Sequence, residues 1–429
     1  MKKSSHYYFS GVDTVALAEK YGTPLYVMSE DIIREKIRVI RTSFLEKYPG
    51  ARAFYASKAF LSQRMCRILM DENFGLDAVS EGEIRTALKA GVKPENIIFH
   101  GNNKTPEELL FAVSNSIGKI VVDSISEIEL LSGLLSGTEQ KADVLIRINP
   151  SIEVNTHQYM CTGQKDSKFG IPLTQLKDAV RLIMASGNLR YAGLHFHLGS
   201  QLFQADCYTA AVTKAFSIMK EIKSELRTDT DVLNIGGGYG VDYIDGEKTV
   251  RFPEFIDVIM NTLNRLLDGS GLKRPEIYIE PGRWITADAG ITLYTVGAIK
   301  EIPGIRTYVA VDGGMPDNIR PSLYGAKYSG LVANKADAPV EKTVTIAGKC
   351  CETGDILIRD IRLPAMERGD CLAVLNTGAY CYSMSNNYNM TPRAALVFIK
   401  DGKDRLSIRR QTCEDLLSLE ILDEGDGDE

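Results

Sequence analysis

The 429-residue chain has no apolar run near the roughly 18 residues a membrane span needs. It also lacks a basic surplus: the formal charge is −6 and the pI is near 5.6, which leaves no electrostatic footprint for nucleic acid. The polar start Met1-Lys2-Lys3-Ser4-Ser5 has no apolar stretch behind it, so no secretory signal is expected. The eight cysteines are scattered rather than spaced as a framework, and Cys350 and Cys351 are adjacent, a spacing poorly suited to a structural bridge. A reducing, cytoplasmic setting is expected, with neither a membrane nor a nucleic acid as partner. The tail Asp423-Glu424-Gly425-Asp426-Gly427-Asp428-Glu429 is too acidic and too poor in large side chains to pack, and is expected to be disordered.

What is present is a repeated pattern. Eight short apolar runs begin at Ala53, Phe74, Ile97, Lys119, Val144, Gly193, Val232 and Ile277, and each ends in polar or glycine-rich residues. Between them lie helix-period segments: Ser62 to Asp71, Glu81 to Ala90, Pro106 to Asn115, Ile125 to Leu135, Leu173 to Ala185, Ala205 to Leu226 and Glu254 to Leu267. Apolar strands alternating with helices imply a parallel sheet covered on both faces, and eight units favour a closed (β/α)8 barrel over an open sheet. Near residue 286 the pattern changes to short alternating runs, Ile291 to Ile299, Thr307 to Val311, Val344 to Ala347 and Cys371 to Val374, read as an antiparallel β domain. Thr23 to Met28 is strand-like too, and a helix follows it with Ser29 as its N-cap. The expected fold is α/β, a TIM-like barrel over residues 29–285 inserted in a β domain formed by residues 1–28 and 286–429.

The barrel runs end in chemistry. The first ends in Lys58, where a turn residue is usual, and an amine at a barrel mouth serves as an ion-pair partner of Asp77 or Glu280, a phosphate ligand or a Schiff-base nucleophile. Gly236-Gly237-Gly238 ends the seventh run, where barrels commonly cradle a phosphate on backbone N–H groups. On the sixth run His195 and His197 share one face; they fit either a zinc site or one ring stacked on a flat cofactor. Glu280 ends the eighth and suits the protonated nitrogen of a heterocycle. Lysine, glycine cradle, stacking histidine and carboxylate together describe a pyridoxal 5'-phosphate site with no metal.

From about Thr23 to Leu422 the chain resembles the diaminopimelate decarboxylases, pyridoxal-phosphate enzymes with an alanine-racemase-like barrel and a β domain. The resemblance rests on Tyr55 to Ala59, His100-Gly101-Asn102-Asn103-Lys104, Asp166 to Gly170, His195 to Gln201, Gly236 to Gly238 and Glu280 to Arg283. It continues through Asp312 to Met315, Ile319 to Pro321, Leu323-Tyr324, Cys351 to Asp355 and Gly378 to Tyr380. It implies decarboxylation of meso-2,6-diaminopimelate to L-lysine and CO2, with Lys58 as the Schiff-base lysine, His197 on the ring and Glu280 at the ring nitrogen. Ser200, Gly237, Gly238 and Tyr380 would hold the phosphate, while Arg283, Arg320, Tyr324, Glu352 and Tyr380 would face the substrate. Two arginines suit a substrate that keeps a distal carboxylate, a need that ornithine does not create. Cys351 is the candidate proton donor and Lys58 the alternative. In the family the cysteine and the following glutamate come from the partner subunit of a homodimer. Two positions depart from the family pattern, Thr353 where Ser is usual and Glu81 where a small residue is expected. Other readings are an arginine, ornithine or carboxynorspermidine decarboxylase, a catalytically silent homologue, and a zinc hydrolase built on His195 and His197.

Overall fold

A computed structural model describes residues 5–150, 153–154, 161–162, 167–244 and 250–421. The first four residues, Asp166 and the acidic tail lie outside them. The chain divides into two compact units. One comprises Arg34–Asp242 and Lys248–Ile285; the other contains Met1–Ile33 and Thr286–Glu429, together with a short piece that includes Tyr243. The division thus falls within the helix Glu30–Ile40 rather than at its start.

In the first unit eight parallel strands close into a barrel: Ala51–Ala56, Gly75–Ala78, Ile97–Phe99, Lys119–Val122, Ala142–Arg147, Leu189–His195, Val232–Asn234 and Glu276–Ile279. The eighth strand pairs back on the first through Ile277 and Ala51. Helices join consecutive strands, and several open on side-chain caps visible in sequence. The hydroxyls of Ser80, Thr105 and Ser124 accept the backbone N–H of Glu83, Glu108 and Glu127, each three residues on. The helix expected from Leu173 begins with a 3-10 turn over Leu173–Gln175 and becomes α-helical at Leu176. After the eighth strand there is only one helical turn, Arg283–Thr286.

Alternation along the strands fills the barrel in layers. Phe54, Ile98, Val121, Leu145, Ala192, Val232 and Tyr278 form one buried apolar cluster, a residue from each of seven strands. The second strand contributes Gly75, where a Cβ would lie 2.3 Å from the Phe54 ring. Truncating one member, as in Leu145→Ala, costs about 2–5 kcal/mol in a core of this kind.

The second unit holds a nine-stranded sheet whose spine is the strand Gly290–Ile302. That strand pairs antiparallel with Leu25–Ser29, Arg306–Val311 and Cys371–Val374, so the amino-terminal strand does join this domain. Ser29 caps the helix after it, its Oγ accepting Ile32 N–H at 3.2 Å. The sheet is mixed rather than antiparallel throughout: Arg306–Val311 runs parallel to Lys342–Ala347, and Leu25–Ser29 parallel to Ala395–Lys400. Its core includes Leu25, Val27, Ile291, Leu293, Ala373, Val397 and Ile399. No helix among the described residues is long and apolar enough to cross a membrane.

Candidate active site

Two residues beyond the apolar layer, on the same inward face of each strand, stand Ala56, Asp77, His100, Asp123, Arg147, Asn234 and Glu280. His195 joins them from the sixth strand, where a bulge between Tyr191 and Gly193 shifts the register by one residue. The layer above the plug is therefore almost wholly polar, and it sits at the carboxyl ends of the strands.

Glu280 is the centre of this layer and is 5% exposed. Its Oε1 accepts Asn234 Nδ2 at 2.5 Å and lies 2.8 Å from His100 Nε2; its Oε2 lies 3.2 Å from His195 Nε2. Burial alone would raise the Glu280 carboxyl, but the two imidazoles outweigh it and hold the group well below the usual carboxylate range. Asp77, deprived of such direct partners, is pushed up by burial. Burial drives His195 down to about 4, partly offset by Glu280, so that it is neutral at pH 7. A carboxylate has about four acceptor sites. The hydrogen bonds of Asn234 to Oε1 and His195 to Oε2 leave acceptor capacity on both oxygens; His100 Nε2 is close to Oε1 but makes no hydrogen bond.

Lys58 follows the first strand in a short 3-10 turn, Ser57–Ala59. Glu83 anchors this turn, its Oε2 accepting the Ser57 hydroxyl at 2.5 Å and the Val79 N–H at 2.7 Å. The Lys58 amine forms a long ion pair with Asp77 Oδ2 at 4.0 Å, too far for a hydrogen bond. His197 is half-buried, and its Nδ1 accepts Gly237 N–H at 3.3 Å, which leaves the proton of the neutral ring on Nε2. Burial, reinforced by the charge of Lys58, holds this ring well below its ordinary value. A Cβ on Gly237 would lie 1.9 Å from the Glu280 carbonyl oxygen, and one on Gly238 would lie 2.2 Å from that of Gly199. Only glycine permits this packing of main chain on main chain. Arg283 donates to Ser200 Oγ from Nη2 at 3.1 Å.

His195 and His197 do not form the imagined zinc pair. The ligand group that the barrel brings together, within 4.8 Å, is His100, His195 and Glu280. Sequence reasoning missed four members of the polar layer, Asp123, Arg147, His100 and Asn234. Arg147, stacked on Phe169 at 4.2 Å and 3.8 Å from Asp123, ends an apolar strand as Lys58 does and was open to the same argument. Asn234 carried no local signal beyond its place two residues above an apolar one, and His100 none beyond the motif it opens. Lys104, from the motif that begins at His100, serves elsewhere: its buried amine donates to Gly101 O, Val121 O and Glu127 Oε1. At the departure Glu81 the carboxylate pairs with Arg85 one turn along the same helix.

The β unit gathers its own set. Arg320, 9% exposed, donates from Nε to Tyr328 OH at 3.0 Å and lies 5.4 Å and 5.2 Å from the rings of Tyr324 and Tyr380. Tyr380 has φ +67°, a left-handed conformation costly for an aromatic residue and common where function fixes the backbone. Cys351, Glu352 and Thr353 are exposed on a loop braced by Asp355, which accepts the N–H groups of Cys350 and Met315, and by Asn389, which accepts that of Cys351. Ser322 ties this loop to the Arg320–Tyr324 helix through Gly354 O at 2.6 Å. The groups suit pyridoxal phosphate: an amine, an ionised carboxylate with open acceptor capacity, and a glycine turn that a Cβ would block.

The family model described as "Pyridoxal-dependent decarboxylase, pyridoxal binding domain" matches residues 32–287. The chain is similar to the diaminopimelate decarboxylase of Bacillus subtilis, 47% identical over 97% of this chain and 95% of the relative. The Staphylococcus aureus enzyme of the same name is 42% identical over 95% and 96%. The solved M. jannaschii diaminopimelate decarboxylase in co-complex with L-lysine has a TM-score of 0.93 at 33% identity, covering 98% of this chain and 97% of that one. A Vibrio vulnificus lysine/ornithine decarboxylase, with a TM-score of 0.76 at 23% identity over 90% of this chain and 97% of that one, shares the fold alone.

Proposed function

This chain belongs to the diaminopimelate decarboxylase family of pyridoxal-dependent decarboxylases, and we propose how its residues divide the work. The reaction is the pyridoxal-phosphate-dependent decarboxylation of meso-2,6-diaminopimelate to L-lysine and CO2, the lysine-forming step of lysine biosynthesis. Bound cofactor supplies an electron sink for the pair left behind when CO2 departs.

The observation that carries the proposal is Glu280, a buried carboxylate kept ionised by two imidazoles and left with open acceptor capacity. In this reading Glu280 would accept the ring N–H, Lys58 would hold the cofactor's carbonyl carbon, and His197, neutral and fixed by Gly237, would lie against the ring. Ser200, Gly237, Gly238 and Tyr380 hold the phosphate. Arg283 and Arg320 grip the distal carboxylate, with Tyr324 adding a hydroxyl, Tyr380 standing beside it and Glu352 matching the distal ammonium. Cys351 holds the proton delivered to the carbon that lost CO2; Lys58 is the competing donor. In this reading the barrel of residues 29–285 binds the cofactor. The exposed Cys351 loop supports completion of the site by the second subunit of a homodimer. Cys66, Cys350, Cys351, Cys371, Cys381 and Cys413 are not disulfide-bonded, as a cytoplasmic setting requires, whereas Cys207 is.

Borohydride reduction of the holoenzyme followed by peptide mass mapping tests the core of this assignment. Cofactor mass fixed on the peptide containing Lys58 is expected; its attachment to another lysine would overturn it.

A further inference from the structure

We propose that Tyr328 is a positioning residue that fixes which edge of the Arg320 guanidinium meets the distal carboxylate of the substrate; this rests on the assignment of Arg320 above. The two residues meet because of a tight local turn. Pro321 stands in the first turn of the helix Arg320–Tyr324, and Gly325 closes that helix at φ +61°, its N–H reaching the carbonyls of Arg320 and Pro321. The chain doubles back, and the Tyr328 hydroxyl accepts Arg320 Nε–H at 3.0 Å. Tyr328 is itself held fast. It is 4% exposed, its ring meets that of Tyr243 edge-on with centroids 5.3 Å apart, and its hydroxyl lies 3.5 Å from the Sγ of Cys381, within hydrogen-bond reach of sulfur.

A guanidinium offers a carboxylate two kinds of edge: a side edge, Nε–H with one Nη–H, and an end edge formed by both Nη groups. Tyr328 occupies Nε–H, so the end edge alone keeps two donors. Among the described residues neither Nη group of Arg320 has a hydrogen-bond partner, and these are the donors offered to a ligand. The rings of Tyr324 and Tyr380, 5.4 Å and 5.2 Å from the guanidinium carbon, bound its swing. Without the Tyr328 oxygen, a buried Nε–H is left unmet and the side edge competes for the carboxylate. The loss then falls on ligands that carry the distal carboxylate and spares those that lack it, which a purely structural role would not produce.

The test is equilibrium binding to holoenzyme of L-lysine, which carries the distal carboxylate, and of cadaverine, the same chain without it. Tyr328→Phe keeps the ring and removes the acceptor; Tyr328→His keeps a ring acceptor. Phe is expected to weaken L-lysine by about tenfold and cadaverine by less than about twofold, and His to weaken L-lysine by less than Phe does. The KM for diaminopimelate should rise in step with the lysine loss while kcat stays within about twofold. In an Arg320→Ala background, Tyr328→Phe should cost less than about a further twofold, because the two groups act as one unit. Should the phenylalanine variant bind neither ligand, the histidine variant decides, since retained cadaverine binding reports an intact site. Equal losses for the two ligands in the deciding variant, no loss for either, or additive losses with Arg320→Ala would overturn the proposal. Wild-type protein without preference for L-lysine over cadaverine, or Arg320→Ala that keeps that preference, would instead overturn the assignment of Arg320, and the proposal with it.

Discussion

Gly237→Ala is the sharpest single perturbation of the barrel site. A Cβ there lies 1.9 Å from the Glu280 carbonyl oxygen, whereas close carbon–oxygen contacts stop at about 3.3 Å. The obstacle is main chain and cannot swing aside, so the ends of the seventh and eighth strands must part by more than about 1 Å. The displaced segment also accepts the Tyr208 hydroxyl on Gly237 O at 2.5 Å and donates to His197 Nδ1 at 3.3 Å. The movement therefore reaches both the ring-facing imidazole and the carboxylate. Overpacking costs about 1–3 kcal/mol, and a 1 Å misplacement of catalytic groups about a hundredfold in rate. Gly133→Ala is the matched control: it lies within the helix Ile125–Leu135 with nothing within 4 Å of an added Cβ. It is expected to stabilise by about 0.5–1 kcal/mol. Denaturant unfolding, cofactor titration and turnover on both variants separate the effects. Wild-type cofactor affinity and turnover in Gly237→Ala would refute the close-approach argument.

Four further outcomes follow from the same geometry. Because His195 sits near 4 when folded and near 6.5 when unfolded, the unfolded chain binds more protons between those values; the stability it contributes is full above about pH 6.5 and is lost as pH falls toward 4. Relative to His195→Gln, the wild type should lose roughly 3 kcal/mol across that window in denaturant unfolding, and parallel profiles would sink the assignment. Arg320→Lys removes a planar fork and should cost about 1.5–3 kcal/mol in kcat/KM, carried mainly by KM; an unchanged KM for diaminopimelate would remove Arg320 from the carboxylate. Cys351→Ser should lower kcat about a hundredfold, whereas a change under about threefold would hand the proton to Lys58. Mixing Lys58→Ala with Cys351→Ala subunits should restore about a quarter of the activity if each site draws on both chains, and no recovery would place Cys351 with its own barrel.

The barrel was readable because its strands announce themselves twice, apolar where they begin and chemical where they end. Lys58, His197, Glu280 and the glycines were found by that rule, and Arg147 obeys it as well. His100 and Asn234 were harder, since their meaning lies in strand register: each becomes part of the Glu280 network only when Ile98 and Val232 are placed in one apolar layer. In the β domain, Lys403–Ile408 is a strand whose charged, largely exposed residues read as loop in isolation, a normal way to blunt a sheet edge. The two parallel pairings join segments far apart in sequence, and no local pattern encodes them.

The most direct test of the central claim is a decarboxylation assay with holoenzyme offered meso-diaminopimelate, L-arginine and L-ornithine separately, quantifying CO2 and the amine product beside a Lys58→Ala control. The account predicts equal amounts of CO2 and L-lysine from diaminopimelate alone, and none in the control. Turnover of arginine or ornithine with diaminopimelate inert would contradict it.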